Sequence, residues 1–293
     1  RSDAGIEVFS HACMHDSSTE KERPAVLCLG AGFTTRYLAR HFDADVRFLS
    51  RGVPADLLSY NEEEPFRPQI IVDSIPPVRN GNRLLNPLYQ EQWQGFADAV
   101  FIHLSSTSVY DRDTPLVNEK TPAVPEDARG QGRLDLEEAV LAVVPDAVIF
   151  RCGGIYGPGR CQPLSIAKGQ TAHVPTDNRY VSRIHVQDLC RLILSVGQSF
   201  YKEGATSPAF SSGGGLPSML PGYERRNLLL AVDPSPSPAA ETLAFIQDRW
   251  GLAVPEVAGP AIGRRIQSLY TERFGLFDFP DYKAGFVHCM QGF

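Results

Sequence analysis

Six short, almost wholly apolar runs recur along this chain, each followed by a turn signal or by helical periodicity. They fall at 25–30 (AVLCLG), 46–50 (VRFLS), 69–77 (QIIVDSIPP), 99–106 (AVFIHLSS), 147–154 (AVIFRCGG) and 227–233 (NLLLAVD). A strand with one face in water alternates polar and apolar residues. Runs without alternation need cover on both faces, the situation of parallel strands with helices on either side. The intervening segments carry the helical period: Tyr37, Leu38 and Phe42 after the first run, a Leu- and Glu-rich stretch at 132–144, and further stretches at 186–196 and 238–251. Gly251 is expected to stop the last of these in a left-handed cap. The expected fold is therefore α/β, a doubly wound (Rossmann), mostly parallel sheet.

Beyond Gly157 the texture changes to mixed Pro, Gly and Ser, and 211–222 (SSGGGLPSMLPG) reads as a loop or hairpin. The expected division is a flexible leader at 1–23, an NAD(P)-binding Rossmann domain at 24–160 and a smaller, partly interleaved substrate or partner domain at 161–293, some of whose segments return to the sheet. The chain opens on Arg1, and the expectation is of a processed or truncated N-terminus. No apolar run approaches the ~18 to 20 residues of a membrane span. A net charge of −6 argues against a nucleic-acid partner. The six cysteines include no CxxC pair, and His11-Ala-Cys13-Met-His15 lacks a fourth ligand, so no metal site is expected. Most cysteines lie among apolar residues and read as buried thiols of a soluble protein in a reducing compartment, cytoplasm or organelle matrix.

Gly30-Ala31-Gly32 joins the first run to a helix at 33–41. Gly30 permits a sharp turn and Gly32 admits a diphosphate to the free N–H groups of Phe33, Thr34 and Thr35 at the helix start. Thr35 stands where a GxGxxG pattern has its third glycine. Helix and strand should then pack further apart, or its hydroxyl bonds a phosphate. At the end of the second run stands Ser50-Arg51, with no acidic residue to take a ribose 2′-OH. A hydroxyl and a guanidinium suit a 2′-phosphate, so NADP(H) is favoured over NAD(H), with Arg36 able to share that role.

Taken together, LGAGF (29–33), IIVDSIPP (70–77), HLSSTSVYDRD (103–113), NEKTPAVPED (118–127), RCGGIYGPGR (151–160) and SRIHVQDL (182–189) resemble the extended short-chain dehydrogenase/reductase superfamily, in its NAD(P)-dependent epimerase/dehydratase branch. The resemblance covers nearly all of 24–293. It implies that Ser74, Ser105 and the loop Gly154, Ile155 and Tyr156 border the dinucleotide. It also implies that Ser106 is the family serine that orients substrate. In the loop, the glycines at 153 and 154 are consistent with backbone approaching the nicotinamide ring.

The family's catalytic tyrosine and the lysine four residues after it should fall near 130–134. Gly130-Gln-Gly-Arg-Leu134 stands there, and neither residue type occurs between Thr121 and Phe150. Three readings stay open. Tyr110, Tyr156, Tyr180 or His185 replaces the tyrosine as proton relay. Alternatively the reaction needs no relay, or uses Arg129 or Arg133 to hold an acidic substrate; arginine itself does not give up a proton. Or the protein binds the dinucleotide without turning it over, as a structural subunit, assembly factor or redox sensor. Arg160 and Arg183 are further candidates to meet a substrate anion, and Asp188 suits the start of the following helix. The expected partners are a dinucleotide and either a small polar substrate or a protein.

Overall fold

The computed structural model describes residues 23–49, 66–80, 83–85, 98–170, 174–202, 227–271 and 277–291. In chain order, its principal elements begin with β1 (Ala25–Leu29), α1 (Phe33–His41), β2 (Asp45–Leu49), β3 (Ile70–Asp73), β4 (Val100–Ser106), α2 (Ala128–Val143) and β5 (Val148–Cys152). They continue with β6 (Gly154–Tyr156), α3 (Gln162–Ala167), β7 (Arg183–His185), α4 (Val186–Lys202), β8 (Leu228–Ala231), α5 (Ala239–Trp250) and α6 (Tyr282–Cys289). All six apolar runs are strands, and they form one sheet in the order β8-β5-β4-β3-β1-β2, every pair parallel.

Covalent alternation explains why the runs lack polar gaps. Val26, Cys28, Ile70, Val72, Ile102, Leu104 and Phe150 point to the face covered by α1 and α4. Their neighbours Leu27, Leu29, Ile71, Phe101 and Ile149 point to the other face, against Leu136 and Val140 of α2. Each such side chain contributes roughly 1.5–3 kcal/mol on burial, so both faces must stay apolar. A third apolar cluster joins α3, α5 and α6 through Leu164, Leu243, Ile246, Tyr282, Phe286 and Cys289.

The chain leaves β1 for β2 on one side and returns as β3 on the other. Among the described strands, the order therefore reverses between β1 and β3. The crevice outside the carboxyl ends at such a reversal is where doubly wound sheets bind ligands.

Three helices depart from or match the periodicity in instructive ways. α2 starts four residues before 132, because Asp127 accepts from the Gly130 N–H at 2.7 Å and caps it. Gly130 is a helical residue, not a breaker: a Cβ there would lie 2.3 Å from the Ser108 carbonyl oxygen, so only glycine lets α2 lie against that turn. α4 runs on to Lys202, beyond the 186–196 pattern. α5 ends as expected, at Gly251 with φ +64°.

After α4 the chain re-enters the sheet as β8 beside β5. Glu119, from the acidic-Thr-Pro element, secures that strand: its buried carboxylate accepts from the N–H of Leu230 (3.1 Å) and of Leu269 (2.9 Å) and from the Ser268 hydroxyl (2.5 Å). Cys28, Cys152, Cys161, Cys190 and Cys289 are buried free thiols. No helix among the described residues is long and apolar enough to cross a membrane. The expected leader (all but Arg23), His11-Ala-Cys13-Met-His15, Ser50-Arg51 and 211–222 lie outside the described residues.

Candidate functional site

The turn after β1 is held in shape from below. Gly30 sits at φ +91°, its N–H bonded to the Leu49 carbonyl at 3.1 Å. A Cβ on it would come within 2.8 Å of Ile75 Cγ1. Ser74, just past β3, donates its hydroxyl to the carbonyls of Leu29 (3.2 Å) and Gly30 (3.3 Å), and so joins the two strands at the reversal. The Thr35 hydroxyl takes a different acceptor from the phosphate that the sequence suggested. The side chain is buried, and its hydroxyl donates to the Gly30 carbonyl at 2.8 Å, so it braces the turn's own backbone and is not presented to a phosphate.

Gly32 is the N-cap of α1, with extended backbone and no side chain bonded back onto the first turn. That turn carries no acidic residue, and Arg36 N–H to the Gly32 carbonyl is a bond within the helix. The N–H groups of the first turn thus end at an uncapped positive pole. These residues fit a diphosphate: a Cβ at Gly32 would be in ordinary contact with Ser74 Oγ at 3.7 Å and with nothing closer, so the backbone there is not crowded.

The 151–160 motif comes round to this turn. A Cβ at Gly157 would lie 3.3 Å from Phe33 Cζ, and the Arg160 guanidinium lies 5.3 Å over the Phe33 ring. Between them opens a cleft of about 560 Å³ whose walls include Gly32, Phe33, Arg36, Arg40, Pro158 and Arg160. Its lining does not include Ser74, Ser105, Ser106, Gly154, Ile155 or Tyr156. Gly153 lets the protein's own backbone come close. A Cβ at Gly153 would stand 2.9 Å from the Ser182 carbonyl oxygen, which accepts the Gly154 N–H at 2.9 Å. Ile155 lies in β6, paired with Ile184 of β7.

Two of the candidate tyrosines are sealed. Tyr110 is 1% exposed and its phenol oxygen accepts from Arg151 Nη1 at 2.7 Å. Burial raises its pKa, against the lowering influence of Arg151. Tyr156 packs edge-on to His185 and Phe286, and burial again raises its pKa. His185 packs at a tilt against Phe279 and touches His288, with Nδ1 and Nε2 both hydrogen-bonded. Tyr180 lies apart, lining a separate cavity of about 280 Å³ with Arg112, Asp177, Arg179 and Arg264. Arg183 is buried among neutral acceptors, the Val181 carbonyl, Ser237 Oγ and Gln162 Oε1. Asp188 does more than start α4: its two carboxylate oxygens accept the Asp278 and Phe279 N–H groups, each at 3.0 Å.

The carboxyl ends of β4 and β5 carry a network that sequence reasoning missed. Arg151, paired with Ser105 across these strands, grips Glu137 of α2, and Ser105 Oγ donates to Glu137 Oε1 at 2.5 Å. Ser106 remains half-buried, with Oγ accepting the Ser108 N–H at 3.2 Å. One strand over, Asp73 and His103 face each other in register and bond at 2.6 Å with neither side chain exposed.

No protein-family model matches the sequence, and no curated protein matches it. Solved structures do. A Methylobacillus flagellatus protein assigned as an NAD-dependent epimerase/dehydratase is 22% identical, with TM-score 0.62 over 92% of this chain and 98% of that one. The human epimerase family protein solved with NADPH is 15% identical, with TM-score 0.57 over 92% and 100%. The dTDP-glucose 4,6-dehydratase of Bacillus anthracis, in complex with NAD, is 13% identical, with TM-score 0.58 over 92% and 96%. The chain shares their fold.

Proposed function

We propose that this chain is an atypical member of the extended short-chain dehydrogenase/reductase superfamily that binds NADP(H) at the Gly30–Gly32 turn, with Phe33, Thr34, Ser74, Ser105, Gly154, Ile155 and Tyr156 bordering or bracing the dinucleotide. The observation that carries this reading is the uncapped N-terminus of α1, free of acidic residues, at the point where strand order reverses. The NADPH and NAD named for the fold's relatives support a nicotinamide dinucleotide. Preference for NADP(H) rests on Ser50-Arg51 in the sequence. The division into a dinucleotide domain at 24–160 and a substrate or partner domain at 161–293 belongs to the same proposal.

When bound, the cofactor would supply hydride exchange. This chain's own residues would hold the diphosphate on main-chain N–H groups and orient a small polar substrate through the Ser106 hydroxyl. An oxidoreductase or epimerase follows, working without the tyrosine and lysine of the family pattern.

A second reading is a non-catalytic dinucleotide-binding subunit, assembly factor or redox sensor. It is favoured by the burial of Tyr110 and Tyr156 under other side chains. Fluorescence titration with NADPH and NADH tests binding; transfer of hydride from NADPH to a panel of carbonyl and sugar-nucleotide compounds separates the readings. No binding of either nucleotide would refute both, and tight binding with no transfer to any compound favours the second.

A further inference from the structure

Arg129, Arg133 and Glu137 are spaced four apart on α2 and so share one face of the helix. Glu137 fixes where that face looks, because its carboxylate is bonded to Ser105 and Arg151 at the carboxyl ends of β4 and β5. One turn earlier, the Arg133 guanidinium is half-buried within electrostatic reach of Cys152 and Asp73, the last residues of β5 and β3. Its neighbour a turn before is Arg129, a like charge.

Among the described residues, Asp73 and Glu137 offset part of the Arg133 charge, but the carboxylates around this pair are bonded to other groups. Glu137 is held by Arg151, Asp73 bonds His103 and the Ile75 N–H, and Glu126, three residues before Arg129, pairs with Arg112 at 3.1 Å. Asp127 caps the helix. Among the described residues, neither Arg129 nor Arg133 makes an ion pair or a hydrogen bond. Burial, and next to it Arg129, lowers the Arg133 pKa. Two adjacent guanidiniums, one of them partly desolvated, are costly without a counter-charge. Their planar donors match a two-oxygen anion.

Building on the dinucleotide reading above, we propose that Arg129 and Arg133 clamp an oxyanion of the substrate, a carboxylate or phosphate group, at the carboxyl edge of the sheet. The substrate class is then acidic, and the arginines bind it where the family pattern has its tyrosine and lysine.

Calorimetric titration of malonate, and separately of inorganic phosphate, into the full chain saturated with NADPH tests this. Saturation fills the phosphate site at the Gly30–Gly32 turn, so that any further anion reports a different place. A tighter malonate isotherm supports the clamp with a carboxylate substrate, and a tighter phosphate isotherm supports it with a phosphate ester. Arg129→Gln and Arg133→Gln should each weaken the better probe at least ~10-fold, the loss of one charge-assisted contact. NADPH affinity should move by less than about twofold, and Arg133→Lys should recover part of the loss. Neither probe binding the NADPH-saturated protein would overturn the clamp, as would unchanged probe affinity in both variants. Loss of NADPH affinity in the arginine variants would overturn it too, by giving these side chains to the cofactor. Failure of the wild-type chain to take up NADPH shows in the first titration, and refutes the underlying reading separately.

Discussion

Arg151 and Glu137 meet as a two-point ion pair with almost no exposure: Nε lies 3.0 Å from Oε1 and Nη2 lies 2.7 Å from Oε2. Removing one partner strands the other charge in the core, which typically costs about 3–5 kcal/mol. Glu137→Gln is expected to lower the free energy of unfolding by that amount, read in urea as a lower midpoint with an unchanged slope. The double variant Glu137→Leu, Arg151→Met should recover much of the loss, since no lone charge remains. A Glu137→Gln cost below about 1 kcal/mol, within the range of surface pairs, would refute a structural role for the pair.

That pair also marks the limit of what could be read from the chain. Strands covered on both faces have to be apolar throughout, so the runs at 25–30 or 147–154 betray themselves with no partner in view. A buried carboxylate does not. Glu137 and Arg151 are 14 residues apart, Asp73 and His103 are 30 apart, and Glu119 reaches Leu269 across 150. Nothing local distinguishes these from solvated charges. The turn was legible because Gly30 and Gly32 are demanded by backbone geometry. Thr35 was not, because a hydroxyl bonds whichever acceptor is nearest, and here that is the turn's own carbonyl. Gly153 was legible as a place of close approach but not as to what approaches; one such group is the Ser182 carbonyl, one strand across in space.

Cofactor selectivity should respond to one residue. Arg51→Ala is expected to weaken NADPH by ~10-fold or more, as one charge-assisted phosphate contact is lost, while NADH changes little. Paired fluorescence titrations read this directly. Equal weakening of both nucleotides would refute a 2′-phosphate contact at residue 51.

His185 sets a pH dependence whose sign follows from its surroundings. Its Nδ1 accepts the Gln187 N–H at 3.1 Å, which leaves the proton on Nε2, 3.2 Å from His288 Nδ1. Burial, and after it His288, pushes its pKa from 6.5 down to about 3. The unfolded imidazole takes a proton below about pH 6.5 and the folded one only near 3, so the stability it contributes above 6.5 is lost as pH falls through that window. Asp233 works with the opposite sign, since burial pushes its carboxyl up to about 8. The comparison must therefore be between wild type and His185→Gln. From pH 7 to pH 5 the wild type should lose about 1–2 kcal/mol more than the variant in chemical denaturation. Parallel curves for the two proteins would rule out a buried neutral imidazole at 185.

Gly32 separates folding from binding. Its backbone is extended, φ −82° and ψ −174°, the conformation of an N-cap, and a Cβ there meets nothing closer than 3.7 Å. Gly32→Asp should fold, with stability unchanged or raised by a few tenths of a kcal/mol, because a carboxylate suits a cap and the positive end of α1. The same carboxylate would occupy the N–H groups that a diphosphate needs and would repel it. NADPH affinity is expected to fall at least ~10-fold, by fluorescence titration. Gly30→Ala gives the contrast: with φ +91° and a Cβ 2.8 Å from Ile75 Cγ1, it should cost stability outright. If Gly32→Asp melts like the wild type and still binds NADPH as tightly, the α1 terminus is not where the diphosphate sits.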